Sequence, residues 1–138
     1  MADNPEHRPR LGETEKLTIN LGVVDLGQID LLVQEGFYSN RTDLIRTAIR
    51  NQLALHGDTV KSTVARRTLV LGLQSFSRAD LERARASRRM LRIHVVGLLR
   101  IAEDVTPDLA RAAIESVEVL GAFHASAHVR EALRDRMR

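Results

Sequence analysis

The chain has 138 residues, 43% of them hydrophobic and 28% charged, with a formal net charge of +3 and no cysteine. That length buries one medium core or two small ones. The missing cysteine excludes disulfides, thiolate metal sites and cysteine nucleophiles together and agrees with a reducing compartment. No apolar run reaches membrane-spanning length and no hydrophobic signal region opens the sequence, so a cytoplasmic protein without a membrane partner is expected.

Residues 1–14 carry Pro5, Pro9, Gly12 and mixed charges without periodicity, the pattern of a flexible arm. Lys16-Leu17-Thr18-Ile19-Asn20-Leu21 then alternates strictly between polar and apolar. A strand over it turns Leu17, Ile19 and Leu21 to one face and Lys16, Thr18 and Asn20 to the other. A lone strand cannot satisfy its own backbone, and helical patterns follow it. The simplest partner is the same strand of a second copy, antiparallel about a two-fold axis, which makes the expected protein a homodimer.

A first helix should begin near Val24 or Asp25, with Asp25 at the positive end of the helix dipole. Leu26, Ile29, Leu32 and Val33 recur at helical spacing, Gln28, Asp30 and Gln34 fall on the wet side, and Gly36 closes the helix. Asn40 and Asp43 have the spacing of a capping pair, so a second helix starts there, with Leu44, Ile45, Ala48, Ile49 and Leu53 as its apolar stripe. His56-Gly57-Asp58 reads as a stop, and residues 57–67 as a helical linker or a continuation past a tolerated glycine.

The strand KLTINL, the helix ending at Glu35-Gly36 and the string Tyr38-Ser39-Asn40-Arg41-Thr42-Asp43-Leu44-Ile45-Arg46 together resemble the ribbon-helix-helix DNA-binding proteins of the Arc and CopG type, over residues 15–56. The resemblance implies that two paired strands enter the major groove and that the start of the second helix holds a phosphate. By position it makes Lys16, Thr18 and Asn20 the base readers and Asn40, Arg41 and Thr42 the phosphate clamp. The residue chemistry agrees, since carboxamide, ammonium and hydroxyl groups pair with base edges and an exposed helix N-terminus beside an arginine suits a phosphate oxygen. Arg8 and Arg10 of the arm are candidates for contact with the DNA backbone, against the plainer and favoured reading of a disordered tail.

Beyond residue 67 the pattern changes to a repeat. Val70-Leu71-Gly72-Leu73, Val95-Val96-Gly97-Leu98 and Val119-Leu120-Gly121-Ala122 share one form, with the glycines 25 and 24 residues apart. Helix-like segments follow at Ser77 to Arg89, Thr106 to Ser116 and Ser126 to Met137, and Ile93 matches Val117, Val105 matches Val129 and Leu109 matches Leu133. Three strand-helix units imply parallel strands with helices on one face. The period is that of leucine-rich repeats, but their signature is missing, and the likeness goes no further. The expected fold is therefore α+β: an N-terminal ribbon-helix-helix forming an intertwined dimer, then a small α/β repeat domain at 68–138 that joins copies into a higher homo-oligomer.

Function follows from these pieces. A sequence-specific double-stranded DNA-binding regulator acting as a repressor is the leading expectation. An antitoxin whose C-terminal half grips a partner protein is one alternative, although such tails are short and disordered until bound. A ligand- or metal-responsive regulator is another, since His94, His124 and His128 lie in the repeat half and the last two are four residues apart. The nickel-responsive ribbon-helix-helix proteins carry a βαββαβ domain and a cysteine ligand that this chain lacks, so neither a metal site nor a cofactor is assigned. Catalysis is not expected, because no GxSxG, HExxH or phosphate-loop pattern organises the carboxylates and serines. Between Gly57 and Met90 eight basic residues stand against three acidic ones, a second strip for phosphate or a solvated helix surface.

Overall fold

The computed structural model describes residues 14–138, which form two compact units. One is Lys16–Thr63; the other is built on Val64–Arg138 and takes in Glu15. The arm residues 1–13, with Arg8 and Arg10, lie outside the described residues.

In the first unit residues 16–22 form neither helix nor ladder, so the strand expected over Lys16 to Leu21 is not formed within one chain. Helix α1 is Val23–Gln34, one residue earlier than the pattern predicts, with Asp25 in its first turn. Gly36 at φ +85° ends it, as only glycine enters that region cheaply. The Phe37 N–H reaches the Leu32 carbonyl at 3.0 Å and the Gly36 N–H the Val33 carbonyl at 3.1 Å, the two bonds of a Schellman cap. Helix α2 is Arg41–Leu55, and α3 is Gly57–Arg66. The break falls on His56 alone, so Gly57 opens the next helix instead of stopping the previous one.

The second unit is a three-stranded parallel sheet in the order β1 (Val70–Phe76), β2 (Leu91–Ile101), β3 (Ile114–His124). Helix α4 (Arg78–Ala86) follows β1, α5 (Pro107–Ala113) follows β2, and α6 (Ala127–Ala132) with a 3-10 turn at Arg134–Arg136 follows β3. All three helices are capped by hydroxyls: Ser77, Thr106 and Ser126 accept from the backbone N–H three residues on, and Pro107 takes the first helical position. The helices are shorter than their patterns for identifiable reasons. Arg88 at φ +57° turns the chain after α4. Ile114 is already extended and pairs with Leu91, so β3 starts inside the predicted second helix. The last helix gives way because Met137 bridges Val117 and the Arg138 N–H bonds the Val117 carbonyl at 2.9 Å.

Alternation along the strands divides the sheet into two unlike faces. Ile93, Val95, Leu99 and Ile101 of β2 and Val117 of β3 pack with Leu81 of α4, Leu109, Ala110 and Ala113 of α5, and Val129 and Leu133 of α6 in one buried core. The intervening residues of the strands, Leu71, Leu73, Val96, Leu98, Leu120 and Ala122, stand outside that cluster. Gly72, Gly97 and Gly121 lie in register across all three strands, each at positive φ. A Cβ on Gly97 would stand 2.0 Å from the Gly72 carbonyl oxygen, and one on Gly121 2.1 Å from that of Gly97. The glycine row is therefore a requirement of the backbone's close stacking.

Candidate nucleic-acid interface

The exposed segment Lys16 to Leu21 carries the three predicted base readers, Lys16, Thr18 and Asn20, all solvent-accessible. Its other face is equally bare: Leu17 is 80% exposed and Ile19 55%. Exposure of this kind continues through α1 and α2, where no residue is fully buried and Val23, Leu31, Leu53 and Leu55 are more than half exposed, as is Phe37 between them. The apolar stripe predicted on α2 is present in sequence order but divided, with Leu44 and Ile45 half-buried and Ala48, Ile49 and Leu53 open.

The start of α2 is held by a set of side-chain hydrogen bonds. Asn40 is its N-cap, and its Oδ1 accepts from the Asp43 N–H at 2.8 Å. Asp43 turns back in its own right: its Oδ2 accepts from the Ser39 N–H at 3.0 Å and from the Ser39 hydroxyl at 2.9 Å. Those bonds, the backbone one first, hold the Asp43 carboxyl below the usual carboxylate range. Arg41 reaches across to α1, where Asp30 receives its Nε at 2.7 Å and its Nη2 at 2.8 Å, a two-pronged ion pair. The pair lowers the Asp30 pKa and raises that of Arg41, chiefly through the side-chain hydrogen bonds. Thr42 sits exposed in the first turn.

The six predicted residues thus fall into two groups, three on the extended segment and three at one helix start, and the fold brings the second group together. Two participants escaped the sequence reading. Asp30 was assigned only to the wet side of its helix, and nothing in an eleven-residue separation signals that it fixes Arg41. Ser39 stood inside the string that carries the resemblance, and its spacing of four from Asp43 was the available clue. The histidines part company: His124 ends β3 and meets Glu15, His94 meets Glu118, and His128 lies on α6, so the four-residue spacing is not realised on one helix. Among the described residues no three potential ligands gather as a metal site would require. No helix in them is long and apolar enough to cross a membrane.

An extended polar-apolar segment leading into two helices is the order of elements expected of a ribbon-helix-helix regulator. The model of the Ribbon-Helix-Helix transcriptional regulator family matches residues 12–130, and the chain belongs to that family. It is accordingly a DNA-binding transcriptional regulator. The match continues through β3 into α6, so the sheet domain, which its sequence pattern did not tie to any family, lies within the same family pattern. No curated protein and no solved structure matches the chain.

Proposed function

We propose that two copies of the chain pair residues 16–21 as an antiparallel ribbon, and that the ribbon enters the major groove of an operator to repress transcription in the cytoplasm. The observation that carries this reading is the bareness of the Lys16–Thr63 unit, which holds nearly fifty residues and no fully buried side chain. A hairpin of helices with its leucines and isoleucines in water loses roughly 1.5–3 kcal/mol for each side chain that stays unburied. A second copy meets that deficit, and the extended segment gains the backbone partner it lacks.

In the resulting ribbon Lys16, Thr18 and Asn20 face the bases. Asn20 offers a carboxamide to adenine, Lys16 an ammonium to guanine, and Thr18 a hydroxyl and methyl to either a donor or a thymine. Asn40, Arg41 and Thr42 serve a backbone phosphate, with Asp30 keeping the Arg41 guanidinium at the helix start. Residues 68–138 join copies of the chain to one another, so that neighbouring half-sites are held through effective concentration.

Selection of bound sequences from random DNA tests the reading. A defined, two-fold related consensus is expected, and Thr18→Ala with Asn20→Ala should keep the dimer while losing the preference for that consensus over random DNA. Unchanged discrimination in the double variant removes these two residues as readers.

A further inference from the structure

Among the described residues, the buried core of the second unit lies against one face of its sheet. On the other, register sets Leu71, Val96 and Leu120 in one row across the three strands and Leu73, Leu98 and Ala122 in another. Leu71 is 58% exposed and Leu120 51%. Polar rows border this band at both ends. Toward the strand starts, Glu118 is held by His94 at 3.2 Å and by Arg67. Toward the strand ends, Ser75, Arg100 and His124 stand side by side, and Glu15 pairs with His124. An apolar centre with an ionic rim is the layout of a protein interface, and parallel sheets are ordinarily buried on both faces.

We infer that this open face docks on the same face of a second copy of the chain. The inference rests on the reading that residues 68–138 join copies, and it names the surface that does so. Charge favours strands stacked antiparallel, an arrangement in which the Glu118 end of each face lies over the other copy's opposite end, where Arg100 and His124 stand 3.5 Å apart.

Area sets the conditions. Three strands about 4.8 Å apart and seven residues long at about 3.3 Å each present a face on the order of 300 Å². Two such faces with their rims bury roughly 700–900 Å², below the 1,200–2,000 Å² of free-standing interfaces. The contact is therefore one that forms between copies already held together by their N-terminal halves, where effective concentration replaces missing area.

The chain has no native cysteine, so Leu120→Cys is a clean probe of the face. The full-length Leu120→Cys protein, kept reduced, should be joined into a covalent dimer by a short bis-maleimide, while Arg85→Cys on α4 should not. Adding Leu71→Asp should abolish the cross-link with the far-UV circular dichroism unchanged, since Leu71 is largely in water before docking. A Leu120→Cys yield no greater than that of Arg85→Cys overturns the inference. If sedimentation then still finds an association that Leu71→Asp with Leu120→Asp leaves untouched, only the choice of face fails. If the chain never exceeds the mass its N-terminal pairing gives and no cross-link forms, the wider reading of residues 68–138 fails with it.

Discussion

Replacing Gly97 by alanine tests the packing on which the sheet domain stands. The substitution does two things at once: it puts a side chain at φ +138°, and it drives a Cβ to 2.0 Å from the Gly72 carbonyl oxygen. The backbone term alone costs roughly 1–3 kcal/mol. Relief of the clash requires β1 and β2 to separate until ordinary contact of 3.4 Å is restored, which breaks two or three neighbouring ladder bonds at about 1 kcal/mol each. Together these give roughly 3–6 kcal/mol, a large part of the 5–15 kcal/mol that holds a domain. Gly72→Ala is the internal control. It sits at φ +125° with nothing within 4 Å of its Cβ, so it should cost only the backbone term. Urea denaturation followed by far-UV circular dichroism measures both, and Gly121→Ala should behave like Gly97→Ala because its Cβ meets the Gly97 carbonyl at 2.1 Å. If Gly97→Ala falls within about 1 kcal/mol of Gly72→Ala, the strands do not stack as described and the argument for the glycine row fails.

Other outcomes follow from the same geometry. Arg41→Ala should lower the slope of log affinity against log salt by about 0.9 per protomer without changing the operator consensus, since one phosphate contact is lost; an unchanged slope would remove Arg41 from the backbone contacts. Leu109→Ala, in the core at 4% exposure, should cost roughly 2–5 kcal/mol in the same urea assay, and a neutral result would contradict the position of α5. The capping box of α4 carries an acid limb. The Ser77 N–H at 2.8 Å holds the Asp80 carboxyl below its ordinary 3.8, so its contribution is whole above that value and disappears as pH falls through the lower folded pKa. Asp80→Asn keeps an acceptor but not the proton linkage, and should flatten the loss of melting temperature below about pH 4; an unaltered acid slope would show that the box adds no pH dependence.

What could be read from the residues depended on how local the cause was. The capping pair Asn40 and Asp43, the stop at Gly36, the proline after Thr106 and the register of Ile93 with Val117 follow from spacing alone, and each stands where spacing put it. Helix lengths in the second unit did not follow, because they are set by distant partners. Ile114 leaves its helix to pair with Leu91, and Met137 leaves to bridge Val117. The glycines read as bends or tight turns within strands; that they form one row, with Gly97 against the Gly72 carbonyl and Gly121 against that of Gly97, is a property of three strands in register and invisible in any one of them. In the candidate interface alternation marked Lys16, Thr18 and Asn20, and the structure shows them exposed on a segment that forms no ladder within one chain. The Asp30–Arg41 pair was not, since it joins two helices through a turn whose direction is a tertiary matter.

The two units divide the molecule's stability unequally, and that division is itself testable. The sheet domain buries thirteen hydrophobic residues within a single chain, whereas α1, α2 and α3 bury none. A core completed by a second copy gains stability with protomer concentration, and a core complete in one chain does not. Tyr38 is the chain's only tyrosine, there is no tryptophan, and it lies between α1 and α2. Its fluorescence therefore follows the N-terminal unit alone, while far-UV circular dichroism follows both. In the Leu71→Asp, Leu120→Asp protein, made to block the proposed docking of the sheet faces, the Tyr38 transition should move to higher temperature by several degrees for each tenfold rise in concentration, leaving a second dichroism transition in place. Both transitions fixed over a hundredfold range of concentration would mean that helices α1 and α2 are stable unpaired, and the homodimer, with the ribbon that depends on it, would have to be given up.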